Sequence, residues 1–167
     1  TALTDGASAV LVADADWAAA EGLPALAKIV DAQVAAVDFP GGDDLLLAPA
    51  HAAARLLDRL GMSLGDFELY ELHEAFASTV LATLAAWESA EFCRDQLGLA
   101  GPLGSIERDK INVSGSSLAT GHPFAATGGR IVPTLAKLLH ARGPGARGLI
   151  SICAAGGQGV VAVLEAV

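Results

Sequence analysis

Aromatic residues are scarce, at 5% of 167 positions, and charged residues reach only 17%. With so few rings, a core has to be assembled from Ala, Val, Leu and Ile. That suits helices packed closely on a sheet, with small side chains at the contacts. Basic residues are also short, ten Lys and Arg against nineteen Asp and Glu, giving a net charge of −9. No basic face is left for a nucleic acid or an anionic membrane, so neither is an expected partner. Two cysteines, Cys93 and Cys153, are too few for a disulfide scaffold and lack metal-ligand spacing. No metal site is expected, and the expected setting is reducing and cytoplasmic. No Arg/Lys-led apolar segment opens the chain, so no secretory signal is expected. Mean hydropathy is +0.49, yet no run offers the roughly 20 apolar residues of a membrane span. The longest uncharged stretches, Ile111 to Gly129 and Gly148 to Leu164, are both interrupted by glycine.

What is present is a 53% hydrophobic chain, which excludes intrinsic disorder. Its length suits one domain, 1–167. It starts Thr1-Ala2-Leu3-Thr4-Asp5-Gly6, without Met, and is expected to be part of something longer. Short β-type runs alternate with helical periodicity, the signature of an α/β layer fold. Ala7 to Ala13 reads as a buried strand, and Asp14 to Glu21 as a helix with Asp14 or Asp16 as N-cap. Ala25 to Asp38 reads as a long strand with a polar kink, and Pro49 to Leu60 as an amphipathic helix ended by Gly61. The alternation of Phe67 to Leu72 predicts a strand with one covered face. His73 to Leu97 reads as one long buried helix, Asn112 to Gly129 as a Gly/Ser-rich crossing, and Gly129 to Ala141 as a helix. Gly148 to Cys153 and Val160 to Leu164 form a hairpin closed by a glycine-rich turn.

Three segments carry chemistry. In Gly121-His122-Pro123-Phe124, the glycine allows a ligand close to the backbone, and Pro123 restricts His122 so that the chain aims the imidazole. That imidazole either accepts a proton near neutral pH or holds a turn by hydrogen bonding. Cys153 ends a strand and meets Ala-Ala-Gly-Gly-Gln-Gly. Its thiol either faces amide donors that stabilise a thiolate or an oxyanion, or is a structural core cysteine. In Glu71-Leu72-His73-Glu74-Ala75-Phe76, His73 is expected at a helix start, where amide donors gather, with Glu74 complementing the dipole. Phe76 either lines a pocket or fills the core. Cys93 takes the structural reading, and His51 and His140 are assigned no role.

In their order these segments resemble the C-terminal half of thiolases, enzymes that cleave or form 3-ketoacyl-CoA by thioester chemistry. Thr4 to Leu11 resembles the opening of that half. His73-Glu74-Ala75-Phe76, Gly121-His122-Pro123 and Cys153 to Gly159 resemble its three signature loops. The resemblance implies a βαβαβαββ half with a five-stranded mixed sheet and helices on both faces. His73 stands where many members have Asn, which resembles the β-subunit branch of fatty-acid oxidation complexes. Ser116 and Ala155 each replace a frequent glycine.

By that resemblance His122, Cys153 and His73 are catalytic, and Phe76, Gly121, Gly156 and Gly157 border the substrate pocket. His122 activates a nucleophilic cysteine, and Cys153 shuttles the proton. The nucleophile belongs to the N-terminal half in this family. The chain is therefore expected to be inactive alone and to need that half or a partner subunit. CoA and acyl-CoA are implied as substrates, with no cofactor, and a homo-oligomer is expected. Much of the CoA contact is implied to come from a region before Thr1, so the chain's own affinity for CoA is expected to be weak. Two other readings stay open. One is a non-catalytic half-domain that pairs with a partner and contributes acyl-CoA binding or oligomerisation. The other is a Cys–His hydrolase using Cys153 and His122.

Overall fold

Strands β1 (Ala27–Ala36), β2 (Leu69–Leu72), β3 (Arg147–Ala154) and β4 (Gln158–Ala166) make one mixed sheet in the order β1-β4-β3-β2. The computed structural model describes residues 1–167. β4 runs antiparallel to both neighbours, while β2 and β3 are parallel. An α/β sheet was expected, but with five strands, and the structure has four. Ala7 to Ala13 joins no ladder and lies exposed. An apolar run becomes a strand only where a neighbour can take its N–H and C=O groups, and none of the three ladders includes it. Thr1 to Ser8 instead lie along residues 121–129. His122 N donates to Ala2 O (2.9 Å) and Ser8 Oγ donates to Ala126 O (2.7 Å). Beyond β2 there is only a single parallel bridge, Tyr70 to Ile111.

Local chemistry sets the element boundaries. Asp14 caps α1 (Ala15–Ala20), accepting from Asp16 N and Trp17 N. α2 (Ala48–Leu60) ends in a Schellman motif: Gly61 N donates to Asp58 O and Met62 N to Leu57 O. The expected kink in β1 is a register shift between Ile29 and Asp31, held by Arg59, whose Nε donates to Asp31 Oδ2 at 2.8 Å. The expected helix from His73 to Leu97 is instead a loop followed by two helices, α3 (Ala77–Glu88) and α4 (Ala90–Asp95). The chain breaks at Ser89, whose hydroxyl accepts from Phe92 N and starts α4 afresh. A short α5 (Ser117–Thr120) interrupts the Gly/Ser-rich crossing, and α6 (Phe124–His140) begins five residues before the expected Gly129. β2 has no solvent face, since all four of its residues are buried.

The two sheet faces hold separate cores. Leu149 packs with Leu56, Leu57, Phe67 and Trp87 on the α2 side, whereas its neighbour Ile150 packs with Ile131, Leu135 and Leu139 of α6. This alternation along β3 puts helices on both faces, as expected. A Cβ on Gly148 would come within 2.7 Å of Leu135 Cδ1, so α6 packs directly on the strand backbone there. No helix is long and apolar enough to cross a membrane. The fold thus aims three strand or helix ends at one region: the C-terminal ends of β2 and β3 and the N-terminus of α6.

Candidate active site

β2 extends one residue past its last ladder pair, because His73 N donates to Ser151 O at 2.8 Å. His73 therefore leaves the sheet in a fixed direction and is only 4% exposed. It does not start a helix as expected. α3 begins at Ala77, four residues later, since Glu74 is recruited elsewhere. The Glu74 carboxylate accepts from Asn112 Nδ2 (2.8 Å) and from Leu118 N (3.0 Å). It serves the N-terminus of α5 and not that of its own helix. Asn112, in a left-handed conformation (φ 48°), clamps the end of β2. Its Oδ1 accepts from Leu72 N at 2.8 Å and its Nδ2 donates to Leu72 O at 2.9 Å.

The second imidazole arrives from the other side. Gly121, with φ 94° and Thr4 packed where a Cβ would be, turns the chain so that His122 faces His73. The two rings lie 4.3 Å apart between centroids, tilted by 44°. The His122 ring also meets that of Phe124, at 4.7 Å. Each imidazole has its Nδ1 on a hydroxyl: His73 on Ser117 Oγ (3.0 Å) and His122 on Thr127 Oγ1 (2.7 Å). The Thr127 hydroxyl also reaches Pro123 O at 3.3 Å, and in the tautomer that this second bond favours its oxygen accepts from His122 Nδ1–H. The Nε2 of His122 then carries the lone pair, the form of a general base.

Burial, assisted by the neighbouring His122, Arg130 and the N-terminal ammonium, holds the His73 pKa down to about 4. Burial, the terminal ammonium and Arg130 also lower His122. Both rings are therefore neutral at pH 7. Cys153 comes in from the end of β3, is 7% exposed, and has its thiol pushed up to about 11 by burial. The thiol and His73 line one small pocket with Leu72, Thr79, Thr83 and Ser151. His73 thus stands between the two groups the sequence singled out: it stacks with His122 and shares a pocket with Cys153.

The four residues expected at the substrate pocket are placed less uniformly. None of Phe76, Gly121, Gly156 and Gly157 lines the small pocket. Phe76 is exposed at the start of α3, and Gly121 is buried under Thr4. Gly156 is exposed in the hairpin turn. Gly157 (φ 73°) is buried where an added Cβ would come within 2.8 Å of both Val37 O and Phe39 Cδ1. That close fit ties the loop after Cys153 to the end of β1. Cys93 lies in the core, with Sγ bonded to the carbonyls of Ala86 and Trp87. No group of three or more His, Cys, Asp and Glu side chains is placed to hold a metal ion.

Sequence reasoning missed Asn112, Ser117, Thr127 and Arg130. One of them left a readable signal, because Arg130 is the only charge in the otherwise uncharged run from Ile111 to Ala136.

Three comparisons bear on this arrangement. A family model for the C-terminal domain of thiolases matches residues 23–166. The 3-ketoacyl-CoA thiolase of Aeromonas salmonicida (strain A449) is 46% identical over 165 residues, and that of Alteromonas mediterranea is 44% identical over the same length. In both cases the match takes in 99% of this chain and 37% of the relative. Among solved structures, the Bacillus anthracis acetyl-CoA acetyltransferase superposes with a TM-score of 0.70 at 35% identity, over 92% of this chain and 34% of that one. The Acat5 thiolase of Ascaris suum, solved in complex with coenzyme A, gives 0.69 at 29% identity, over 93% and 35%.

Proposed function

The chain belongs to the thiolase family, as its C-terminal domain, and from that premise we propose that it supplies the acid–base half of an acyl transfer between 3-ketoacyl-CoA and CoA. The observation that carries this reading is the placing of His73, whose ring stacks on His122 while sharing a pocket with Cys153. The chain spans about 37% of the length of the relatives it matches. The nucleophilic cysteine is assigned to the N-terminal half, since Cys93 is buried among backbone carbonyls and faces no imidazole.

In the proposed reaction, His122 takes the thiol proton of that cysteine at Nε2, and the thiolate attacks the 3-keto carbon. The bond between C2 and C3 breaks, leaving an acyl-cysteine and the carbanion of acetyl-CoA. The Cys153 thiol donates its proton to the carbanion. In the second step the Cys153 thiolate takes the proton from CoA, whose sulfur attacks the acyl-cysteine thioester. The expelled cysteine thiolate takes its proton back from His122, so the cycle closes with acetyl-CoA from the first step, acyl-CoA from the second, and both groups regenerated. A thiol held neutral by burial suits the donating step. A neutral imidazole with a free Nε2 suits the accepting one. In this reading His73, and His122 once Nε2 has taken the thiol proton, donate toward a thioester oxygen.

The small pocket under Cys153 has no room for an acyl chain. We place the substrate on the open side of the two rings, bordered by the exposed Phe76, Leu118 and Phe124. Gly156 and Gly157 lie beside Cys153 in this reading and let the thioester approach the loop backbone. CoA and acyl-CoA are the proposed ligands, and no cofactor is invoked.

The test is complementation. The 167-residue chain alone is expected to give no 3-ketoacyl-CoA cleavage, because members of a catalytic constellation act as a unit. Adding the N-terminal half of the Aeromonas salmonicida relative, as a fusion or a second chain, is expected to produce cleavage that His122→Ala and Cys153→Ala each abolish. Steady cleavage by the chain alone, or full activity of either variant in the fusion, refutes the assignment.

A further inference from the structure

Two residues beside the imidazole pair have no role in the proposed reaction, and both are costly to place there. Glu71 precedes His73 by two positions on an extended strand, so the two side chains leave on the same face. Its carboxyl is 1% exposed, and Oε2 has no hydrogen-bond partner. Across from it, Arg130 of α6 buries its Nε, also without a partner, while Nη2 donates to Ser116 Oγ at 3.2 Å. No ion pair within 4 Å joins Glu71 to Arg130, although the Arg130 charge opposes the larger effect of burial on the Glu71 carboxyl. A guanidinium whose buried Nε meets no acceptor contributes poorly to folding.

Its neighbours indicate a different use. Ser116 is followed by Ser117, whose hydroxyl holds His73 Nδ1. Thr127, three residues before Arg130 and hence on the same face of α6, holds His122 Nδ1. One helix face therefore reaches both imidazoles, His122 directly and His73 through the Ser116–Ser117 turn. Besides Arg130, the ionisable groups around the two rings are the carboxyls of Glu71 and Glu74, the Cys153 thiol, the Thr1 ammonium and each other.

We propose that Arg130 is a positioning residue for the imidazole pair: through Ser116 it fixes the turn that orients His73, and its guanidinium, on the α6 face that also carries Thr127, sets a fixed positive charge beside the two rings. The value of this for catalysis rests on the proposed acyl transfer, but the positioning is read without turnover.

The experiment is an NMR titration of the four histidines in the 167-residue chain, with the amino terminus acetylated to remove the other cation near both rings. Wild type, Arg130→Met, Arg130→Lys and Ser116→Ala are compared, using ring carbon and nitrogen shifts for protonation and tautomer. In Arg130→Met, His73 and His122 are expected to bind protons about three- to tenfold more tightly, His51 and His140 being unchanged. Arg130→Lys is expected to restore the wild-type midpoints. Ser116→Ala is expected to mix the His73 tautomers while leaving the midpoints in place.

A folded Arg130→Met with unmoved midpoints overturns the proposal. Should that variant fail to fold, the other two decide: Arg130→Lys with raised midpoints, or Ser116→Ala with an unaltered His73 tautomer, overturns it equally. In the fusion, Arg130→Met is expected to shift the pH profile of kcat more than KM. A fusion with no cleavage in any form sinks the acyl-transfer reading and leaves the titration result standing.

Discussion

The rings of His73 and His122 lie 4.3 Å apart, yet no carboxylate bonds to either, and each Nδ1 rests on a hydroxyl. A histidine pair on acidic partners gains a proton readily, whereas a pair on Ser117 and Thr127 resists it. Burial adds to the resistance at His73. The site is built around two imidazoles that stay uncharged at pH 7, and this has thermodynamic consequences.

Acid should destabilise the chain through His73. Its folded pKa is about 4 against 6.5 for the free side chain. Below pH 6.5 the unfolded state binds a proton that the folded state refuses. Stability from this source is intact above pH 6.5 and is lost as the pH falls toward 4. The loss reaches at most ~3 kcal/mol, from about 1.4 kcal/mol per tenfold change in proton affinity. His73→Asn keeps a group able to bond Ser117 and cannot charge, so its urea midpoint should fall less than that of wild type between pH 7 and pH 4. Parallel curves for the two proteins would show that His73 is not held neutral.

Glu71 acts in the opposite direction. Burial raises its pKa from 4.5 to about 7, Arg130 opposing and Glu74 assisting. Between those values the unfolded state releases a proton that the folded state keeps, so stability falls as the pH rises and the deficit is complete above about 7. Glu71→Gln removes that term. Relative to wild type it should gain up to ~3 kcal/mol between pH 4.5 and pH 8, read from urea unfolding at both values. A constant difference across the range would contradict the buried proton.

Much of this arrangement was legible from local chemistry alone. The hairpin of β3 and β4, the bulged β1 and the Gly61 stop of α2 follow from glycine, polar interruptions and periodicity within a few residues. The errors share a different cause. Ala7 to Ala13 has the composition of a strand, but a strand needs a neighbour, and its absence is a long-range fact. The segment from His73 to Phe76 has helix-forming residues, yet Ser151, bonded to His73, and Asn112, bonded to Leu72, hold its start extended from 78 and 40 positions away. Likewise His73, His122 and Cys153 were visible as motifs. The hydroxyls of Ser117 and Thr127 that set the imidazoles were not, since each acts across a turn or between elements.

The two thiols should be silent in the native chain. A thiol reacts as its thiolate, and with Cys153 pushed up to about 11 only roughly a thousandth is ionised at pH 8. Cys93 is buried under Trp87 and its sulfur is engaged. Labelling with iodoacetamide at pH 8 should therefore be slow for both and become complete in urea. Rapid native alkylation of one equivalent at Cys153, located by mass spectrometry, would mean that the thiol is activated rather than held as an acid.

Asn112 should be the most sensitive polar position in the site. Replacing it by Ala leaves the N–H and C=O of Leu72 buried without partners, frees Glu74, and puts an alanine at φ 48°. Unmet buried groups cost about 1–3 kcal/mol each, and the left-handed backbone adds about 1 kcal/mol. A total loss of about 3–7 kcal/mol is expected from denaturant unfolding. The His73 side-chain resonances should broaden, because the end of β2 is released. A loss under about 1 kcal/mol would show that the β2–β3 ladder alone holds the site.

The isolated chain should also associate with itself, and we propose that the surface around the imidazoles takes part. Phe124 is 69% exposed beside His122, with Leu118 and Phe76 also open, while Val34 and Ile29 face solvent on an edge strand. Clustered apolar side chains in solvent are what interaction surfaces present, and the free edge of β1 adds unpaired N–H and C=O groups. The net charge of −9 works against contact, so association should strengthen as salt screens it. Light scattering is expected to give a mass above 16.8 kDa that rises with protein and salt concentration. Phe124→Glu and Leu118→Glu together should lower that mass. If β1 alone is responsible, the double variant will scatter like wild type and Val34→Lys will not. A monomer at every concentration would mean that neither surface is adhesive.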